Sequence, residues 1–243
     1  MIKLKTVGFC VVNQKYHKQL DVLLSCLNNC TGFDFIVFSD DDLGMKTQKI
    51  PKTGVRFTSN TEYDSVMDIV LSKIKIFSDL SKQYDQVFNI DIDILILKDI
   101  KPVLDKYNGP YLYGCLEDVN YIKLYERRKK ILKYIGITEK QYINAGFMIL
   151  NFPFEFDRSN VEYFFKCCPY SNCPEQDYFN WKFKDKIKVM PNYISWNRFL
   201  PFETSPYMVH FLGKPKPWEI NNSVDVYYEK YMKYFKNIEE NKQ

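Results

Sequence analysis

The sequence has no apolar run approaching the ~18 residues of a membrane helix, so no segment reads as a bilayer span. Its opening, MIKLKTVGFCVV, turns polar too soon for a secretory signal. It lacks an excess of either charge: 34 basic residues face 30 acidic ones, and the formal +4 gives no footprint for nucleic acid. That balance is compatible with a locally basic pocket for a small anion. Histidine occurs twice and no CxxC pair is present, so the seven cysteines (10, 26, 30, 115, 167, 168 and 173) read as reduced thiols in a cytoplasmic protein, not as a zinc site. There is no internal repeat, no low-complexity block and no Pro/Gly-rich linker. At 243 residues and 46% apolar content the chain can bury one full core, and a single domain is expected over 1–243.

What is present is an alternation of short apolar runs and helical stripes. Residues 6–12 and 33–38 read as strands, with Leu20, Leu23, Leu24 and Leu27 at helical spacing between them. A helix over 64–82 carries Val66, Ile69, Val70, Ile74 and Phe77 on one stripe and leads into a strand at 86–90. This pattern predicts an α/β fold with a mainly parallel central sheet flanked by helices. Further strands are expected at 111–115, 147–152 and 207–213. Helices are expected over 120–136, closed by Gly136 with its ERRKK run on the wet side, over 175–183, and along the C-terminal 223–238.

Residues 88–97, FNIDIDILIL, place Asp91 and Asp93 in an apolar context. Two carboxylates on one side of such a run require a cation, donors or water, and if the strand ends at Ile90 they lie beyond its carboxyl end, where open α/β sheets bind ligands. Lys73 sits seven after Val66 and four before Phe77, so it points with the apolar stripe; either it snorkels outward or its ammonium reaches toward the two aspartates. Manganese, with magnesium as the alternative, suits such an oxygen site shared with substrate phosphates. His210, in MVHFLGKPKPW, reads as a core histidine or a third ligand, followed by Gly213 and by Lys214 or Lys216 in a phosphate-cradling loop. The acidic run Asp40 to Asp42 reads as a solvated turn.

The motifs FNIDIDILIL, YINAGFMILNF, PEQDYFN and VHFLGKPKPW, in that order and spacing, resemble glycosyltransferase family 8, in its glycogenin-like branch, over about nine tenths of the chain. The resemblance implies a GT-A type (Rossmann-like) fold and transfer of a hexose from a UDP-sugar with retention of configuration, using manganese. It divides the chain into a nucleotide-binding half over about 1–110, an acceptor-side half with the metal histidine's strand over about 111–220, and a C-terminal helix over 221–243. It assigns Asp91, Asp93 and His210 to the metal. It gives Lys73, Ile92, Gly213 and Lys216 to the donor's phosphates and sugar, Asn13 and Tyr16 to the uridine end, Asn144 and Ala145 to the donor sugar, and Glu175 and Gln176 to the reacting centre. Gln176, Glu175, Lys73 and Asn144 are the implied catalytic residues. UDP-glucose is the first expected donor and UDP-galactose the second, with a glycan or glycoprotein as acceptor and a homodimer as a candidate assembly.

The chain departs from the family in carrying Glu175 where an aspartate is usual, and in ending soon after the last motif, so a separate acceptor is expected over self-priming. The 116–141 stretch, least like the family motifs, is the expected acceptor-side lid. Two other readings compete: a non-catalytic nucleotide-sugar or glycan binder on the same fold, and a DxD phosphatase. The phosphatase pattern wants threonine or valine where Leu95 stands.

Overall fold

The computed structural model describes residues 4–40, 47–55, 61–117, 126–169, 171, 173–197, 203–213, 216–219 and 226–240. Ten strands and seven α-helices are described. In chain order they are β1 (Thr6–Val12), α1 (His17–Leu27), β2 (Asp34–Ser39), β3 (Thr47–Lys49), α2 (Thr61–Ser81), β4 (Gln86–Ile90), β5 (Ile94–Ile96) and α3 (Lys101–Lys106). They continue with β6 (Leu112–Leu116), α4 (Glu126–Ile135), β7 (Ile143–Leu150), α5 (Arg158–Cys167), α6 (Pro174–Lys182), β8 (Ile187–Met190), β9 (Ser195–Asn197), β10 (Met208–His210) and α7 (Val226–Glu240). A seven-stranded sheet in the order β3-β2-β1-β4-β7-β6-β8 is parallel except for β7, which runs against both its neighbours. The expected α/β architecture is therefore present.

Alternation along the central strands assigns each side chain to one of two cores. Val7 and Phe9 of β1 face a core shared with α2, α4, α5 and α6, whereas Cys10 and Val12 face one shared with α1, α3 and α7. Both faces of β1 are buried, which explains its near-continuous apolar sequence. Gly8 is required there: a Cβ on it would sit 2.3 Å from the Phe88 ring.

The short elements α3, α5, β3, β8 and β9 were not placed by the sequence reading, and three differences bear on the site. The strand containing His210 joins a separate three-stranded sheet, β5-β10-β9, and not the central one. β7 begins at Ile143, four residues earlier than the apolar run suggests, because Ile143 pairs with Leu116 of β6. Finally, the ERRKK run is not wholly on the wet side: Glu126, Lys129 and Lys130 are exposed, but Arg128 is buried. Gly136 closes α4 as expected, at φ 78°, with its N–H and that of Ile137 donating to the Leu132 carbonyl. Of the expected lid, residues 118–125 lie outside the described residues. Among the described residues no helix is long and apolar enough to cross a membrane.

Candidate active site

The pairing of β6 with β7 slips between Gly114 and Leu116, so that Gly114 faces Met148 and Leu116 faces Ile143. Residues 144–146 therefore leave the ladder, and their backbone groups need other partners. They find them in the site. The Gly146 carbonyl accepts from Asp91 N at 2.8 Å, the Ala145 carbonyl from Asn89 Nδ2 at 2.8 Å, and Ala145 N donates to Gln176 Oε1 at 2.9 Å. Asn89, wholly buried in β4, ties the end of that strand to the irregular end of β7.

β4 ends at Ile90 and β5 starts at Ile94, so Asp91, Ile92 and Asp93 occupy the turn between the two sheets. β10 pairs antiparallel with β5, His210 opposite Ile94, and Phe211 N donates to the Asp93 carbonyl at 3.0 Å. This puts the imidazole of His210 beside Asp93, Nε2 to Oδ1 at 3.2 Å. One ligand atom each from Asp91, Asp93 and His210 lies within 4.8 Å of the others. Two carboxylates and one imidazole suit manganese or magnesium, not the thiolate-rich set typical of structural zinc. None of the seven cysteines is in a disulfide, and none joins this cluster.

Two ammonium groups flank the aspartates. Lys73 points inward from α2 with its side chain 12% exposed, 2.5 Å from Asp91 Oδ1 and 3.5 Å from Glu175 Oε1. Of its two readings, the inward one is the one observed. Burial works against its charge, but Asp91 and Glu175 outweigh that and hold its pKa above the ordinary lysine value. Lys216 bonds Asp93 Oδ2 and the Phe211 carbonyl. Burial likewise opposes ionisation of Asp93, yet His210 and Lys216 hold its carboxyl well below the usual range. Burial raises the pKa of Glu175, with Lys73 acting against it.

Two adjoining cavities share Val70, Asp91, Asp93 and Glu175. The first, about 300 Å³, is bordered by Asn13, Tyr16, Lys73, Ile92 and Lys216, with Trp218 against Tyr16 at a ring separation of 6.3 Å. Asn13 Oδ1 is buried there without a partner among the described residues. The second, about 360 Å³, is bordered by Asn144, Ala145, Gln176, His210 and Gly213, the last at φ 69°. Every sequence-assigned residue thus borders one cavity or both. Lys214 and Asp41 to Asp42 lie outside the described residues.

Among the residues of the second cavity that were not foreseen, four shape its chemistry. Glu117, one residue past β6, accepts from Gln176 Nε2 at 2.6 Å and from Asn144 Nδ2 at 3.0 Å. An acid just after an apolar strand was the signal, the same one that Asp91 gave. Arg128 stands three, four and seven before Ile131, Leu132 and Ile135, so the stripe argument that singled out Lys73 applies to it as well. Cys173 Sγ lies 3.3 Å from Arg128 Nη2. Gly146 gave no signal of its own: a Cβ there would lie 2.2 Å from His210 Cε1, a contact invisible before the small sheet is known.

Comparison with known proteins agrees with this geometry. The model of Glycosyl transferase family 8 matches residues 12–222. General stress protein A of Bacillus subtilis (strain 168) is 25% identical over 172 residues, 60% of this chain and 56% of that protein, so the match spans little more than half the relative's length. Among solved structures, the galactosyltransferase LgtC in complex with donor and acceptor sugar analogs superposes with a TM-score of 0.71 at 15% identity, covering 96% of this chain and 95% of LgtC. The glycosyltransferase GlyE of Streptococcus pneumoniae TIGR4 superposes at 0.61 with 14% identity, covering 96% of this chain and 60% of GlyE. With the family model spanning most of the sequence and the fold matched end to end by LgtC, this chain belongs to glycosyltransferase family 8 and has the GT-A fold.

Proposed function

We propose that this protein moves a hexose from a UDP-sugar to a hydroxyl of a glycan or protein acceptor, with retention of anomeric configuration and with manganese as the working ion. The observation that carries this is the convergence of Asp91, Asp93 and His210, flanked by Lys73 and Lys216, at the junction of two cavities. The residues divide naturally by cavity. Asn13 and Tyr16 would hold the uridine end, with the unpartnered Asn13 Oδ1 ready to accept from the base or ribose. Asn144, Ala145 and Gln176 would face the sugar.

Asp91, Asp93 and His210 would hold the metal, which when bound supplies positive charge for the diphosphate. Lys73 and Lys216, each bonded to one of the two aspartates, stabilise the negative charge that develops on UDP as the glycosidic bond breaks. Front-side attack by the acceptor hydroxyl is favoured over a covalent glycosyl-enzyme. Asp177, the acid next to Gln176, is wholly buried and both its oxygens are engaged, by Arg128, Tyr142 and Ser171. Glu175 is paired with Lys73, and Glu117 Oε2 already accepts from two amides. A glycosyl adduct trapped on any of these three carboxylates would overturn the front-side mechanism.

The proposal further takes the chain as one cytosolic domain that keeps its thiols reduced. Glucose is the preferred sugar and galactose the alternative; the two differ in one hydroxyl's orientation, which a site reads through a few hydrogen bonds. A screen of UDP-sugars for manganese-dependent UDP release, with the protein then weighed for attached hexose, tests the donor and self-modification together. Release from UDP-glucose above all other donors is expected; no release from any UDP-sugar would sink the enzymatic reading.

The packing of Gly146 under His210 makes a separate prediction. Gly146→Ala must push the imidazole aside, because the new methyl would also lie 2.6 Å from Nδ1 and 2.9 Å from Asn144 Oδ1. Manganese affinity, measured by titration calorimetry, should fall by roughly ten- to a hundredfold, the usual effect of disturbing a ligand's orientation. Unchanged affinity would mean that His210 is not a ligand.

A further inference from the structure

The carboxamide of Gln176 has no spare hydrogen-bonding capacity. Nε2 donates to Glu117 Oε2 at 2.6 Å and to the Tyr142 hydroxyl at 3.0 Å, while Oε1 accepts from Ala145 N at 2.9 Å and Asn144 Nδ2 at 3.2 Å. These partners settle which end is which, since a backbone N–H needs the oxygen and a carboxylate needs the NH₂. Tyr142 is the one partner whose own direction has to be set, because a hydroxyl donates or accepts with equal ease.

Its direction is set from behind. Tyr142 OH donates to Asp177 Oδ1 and accepts from Arg128 Nη1, and Arg128 Nη1 also reaches Asp177 Oδ1 at 2.8 Å. With its hydrogen taken by Asp177, the Tyr142 oxygen has only acceptor capacity left for Gln176. A flipped carboxamide would then bring two acceptors face to face. All three of these residues are at most 1% exposed, so water does not compete for the bonds.

We propose that Arg128, Asp177 and Tyr142 form a positioning relay for the sugar-side cavity. The ion pair fixes the direction of the Tyr142 hydroxyl, the hydroxyl joins Ala145 N and Glu117 in locking the Gln176 carboxamide in one orientation, and the carboxamide holds Glu117 and Asn144 in place against the transferred sugar. This rests on the functional reading above and extends it to α4, a helix outside the family's recognised motifs. Arg128 and Tyr142 act through Gln176; they are positioning residues, not catalytic ones.

Tyr142→Phe tests the relay, because it removes one hydroxyl and leaves the Arg128 to Asp177 pair intact. Ser78→Ala is the control: Ser78 is wholly buried and bonded to Phe156 N at 2.8 Å and the Phe154 carbonyl at 3.1 Å, away from both cavities. The first readout is hydrogen exchange of the Gln176 side-chain amide in ¹⁵N-labelled protein, the resonance being identified by its loss in Gln176→Ala. Exchange should quicken by about tenfold or more in Tyr142→Phe, the effect of one hydrogen bond, and stay unchanged in Ser78→Ala. The second is kinetic. With the best donor from the screen, kcat should fall about tenfold in Tyr142→Phe, while donor KM and UDP affinity stay within about twofold because Asn13, Tyr16, Lys73 and Lys216 border the other cavity.

A purely structural tie between α4 and α6 would lower the Tm of both variants and leave both kcat values alike; that result, or unchanged amide exchange in Tyr142→Phe, overturns the relay. If wild-type protein turns over no UDP-sugar at all, the functional reading falls on that screen. The relay is then decided by amide exchange alone.

Discussion

In the double variant Asp91→Asn, Asp93→Asn, manganese-dependent release of UDP from the donor should drop by at least about a thousandfold, equivalent to roughly 4 kcal/mol of lost transition-state stabilisation. An amide oxygen is a far weaker ligand for a hard divalent ion than a carboxylate, and the substitution also removes two negative charges from a site that must attract a cation toward an anionic diphosphate. The fold should survive. Lys73 keeps Glu175 at 3.5 Å, and Lys216 keeps the Phe211 carbonyl at 2.8 Å, so neither ammonium is stranded by the change. A thermal melt close to that of the wild type, together with loss of manganese binding by calorimetry, would attribute the defect to the metal. Residual activity within tenfold of wild type would show that neither carboxylate is needed and would remove the basis of the proposed mechanism.

The part of this site that was legible in the sequence is the part built from exceptions to a pattern. Asp91 and Asp93 interrupt an apolar run, and Lys73 interrupts an apolar stripe; in each case the charged residue sits where only a partner makes it tolerable, and the partner proves to be the other exception. Arg128 obeys the same rule, yet the surrounding ERRKK run made it look like one more solvated charge. A cluster of lysines and arginines hides the one member that turns inward. The central sheet was legible for a related reason: parallel strands buried on both faces read as continuous apolar runs, and β1, β2 and β4 fall within a residue of their expected limits.

The remainder depended on long-range pairing that leaves no local trace. β5 and β9 are three residues each, too short for periodicity to register, and β10, though expected as a strand, gives no local sign of its partners; the small sheet the three form is what carries His210 to Asp93. The slip between β6 and β7 likewise depends on two strands whose partners are about thirty residues apart in the register, Gly114 with Met148. It frees the backbone of 144–146 to bind the end of β4, Gln176 and each other, and no property of YINAGF alone announces that.

The site thus contains two buried ion clusters of different character, and their saturation separates them. Asp91 and Asp93 remain 27% and 14% exposed at the junction of two cavities, whereas Arg128 and Asp177 are 1% and 0% exposed. The second pair, although Arg128 borders the second cavity, is all but sealed from solvent, and its weight should be felt mainly in stability. Arg128→Met leaves Asp177 buried without its counter-ion, and should cost about 3–5 kcal/mol, lowering Tm by on the order of 10 °C in a chain of this size. Burial already pushes the pKa of Asp177 up, and Arg128 is the leading influence against that, so the stranded carboxyl is expected to take a proton and not remain an anion. Adding Asp177→Asn to Arg128→Met removes the cost of protonating the stranded carboxyl, and stability should recover by about 2 kcal/mol or more relative to the single variant, a coupling that a double-mutant cycle in urea measures directly. A loss below about 1 kcal/mol for Arg128→Met would place the guanidinium in contact with water and would contradict the burial on which both this expectation and the relay depend.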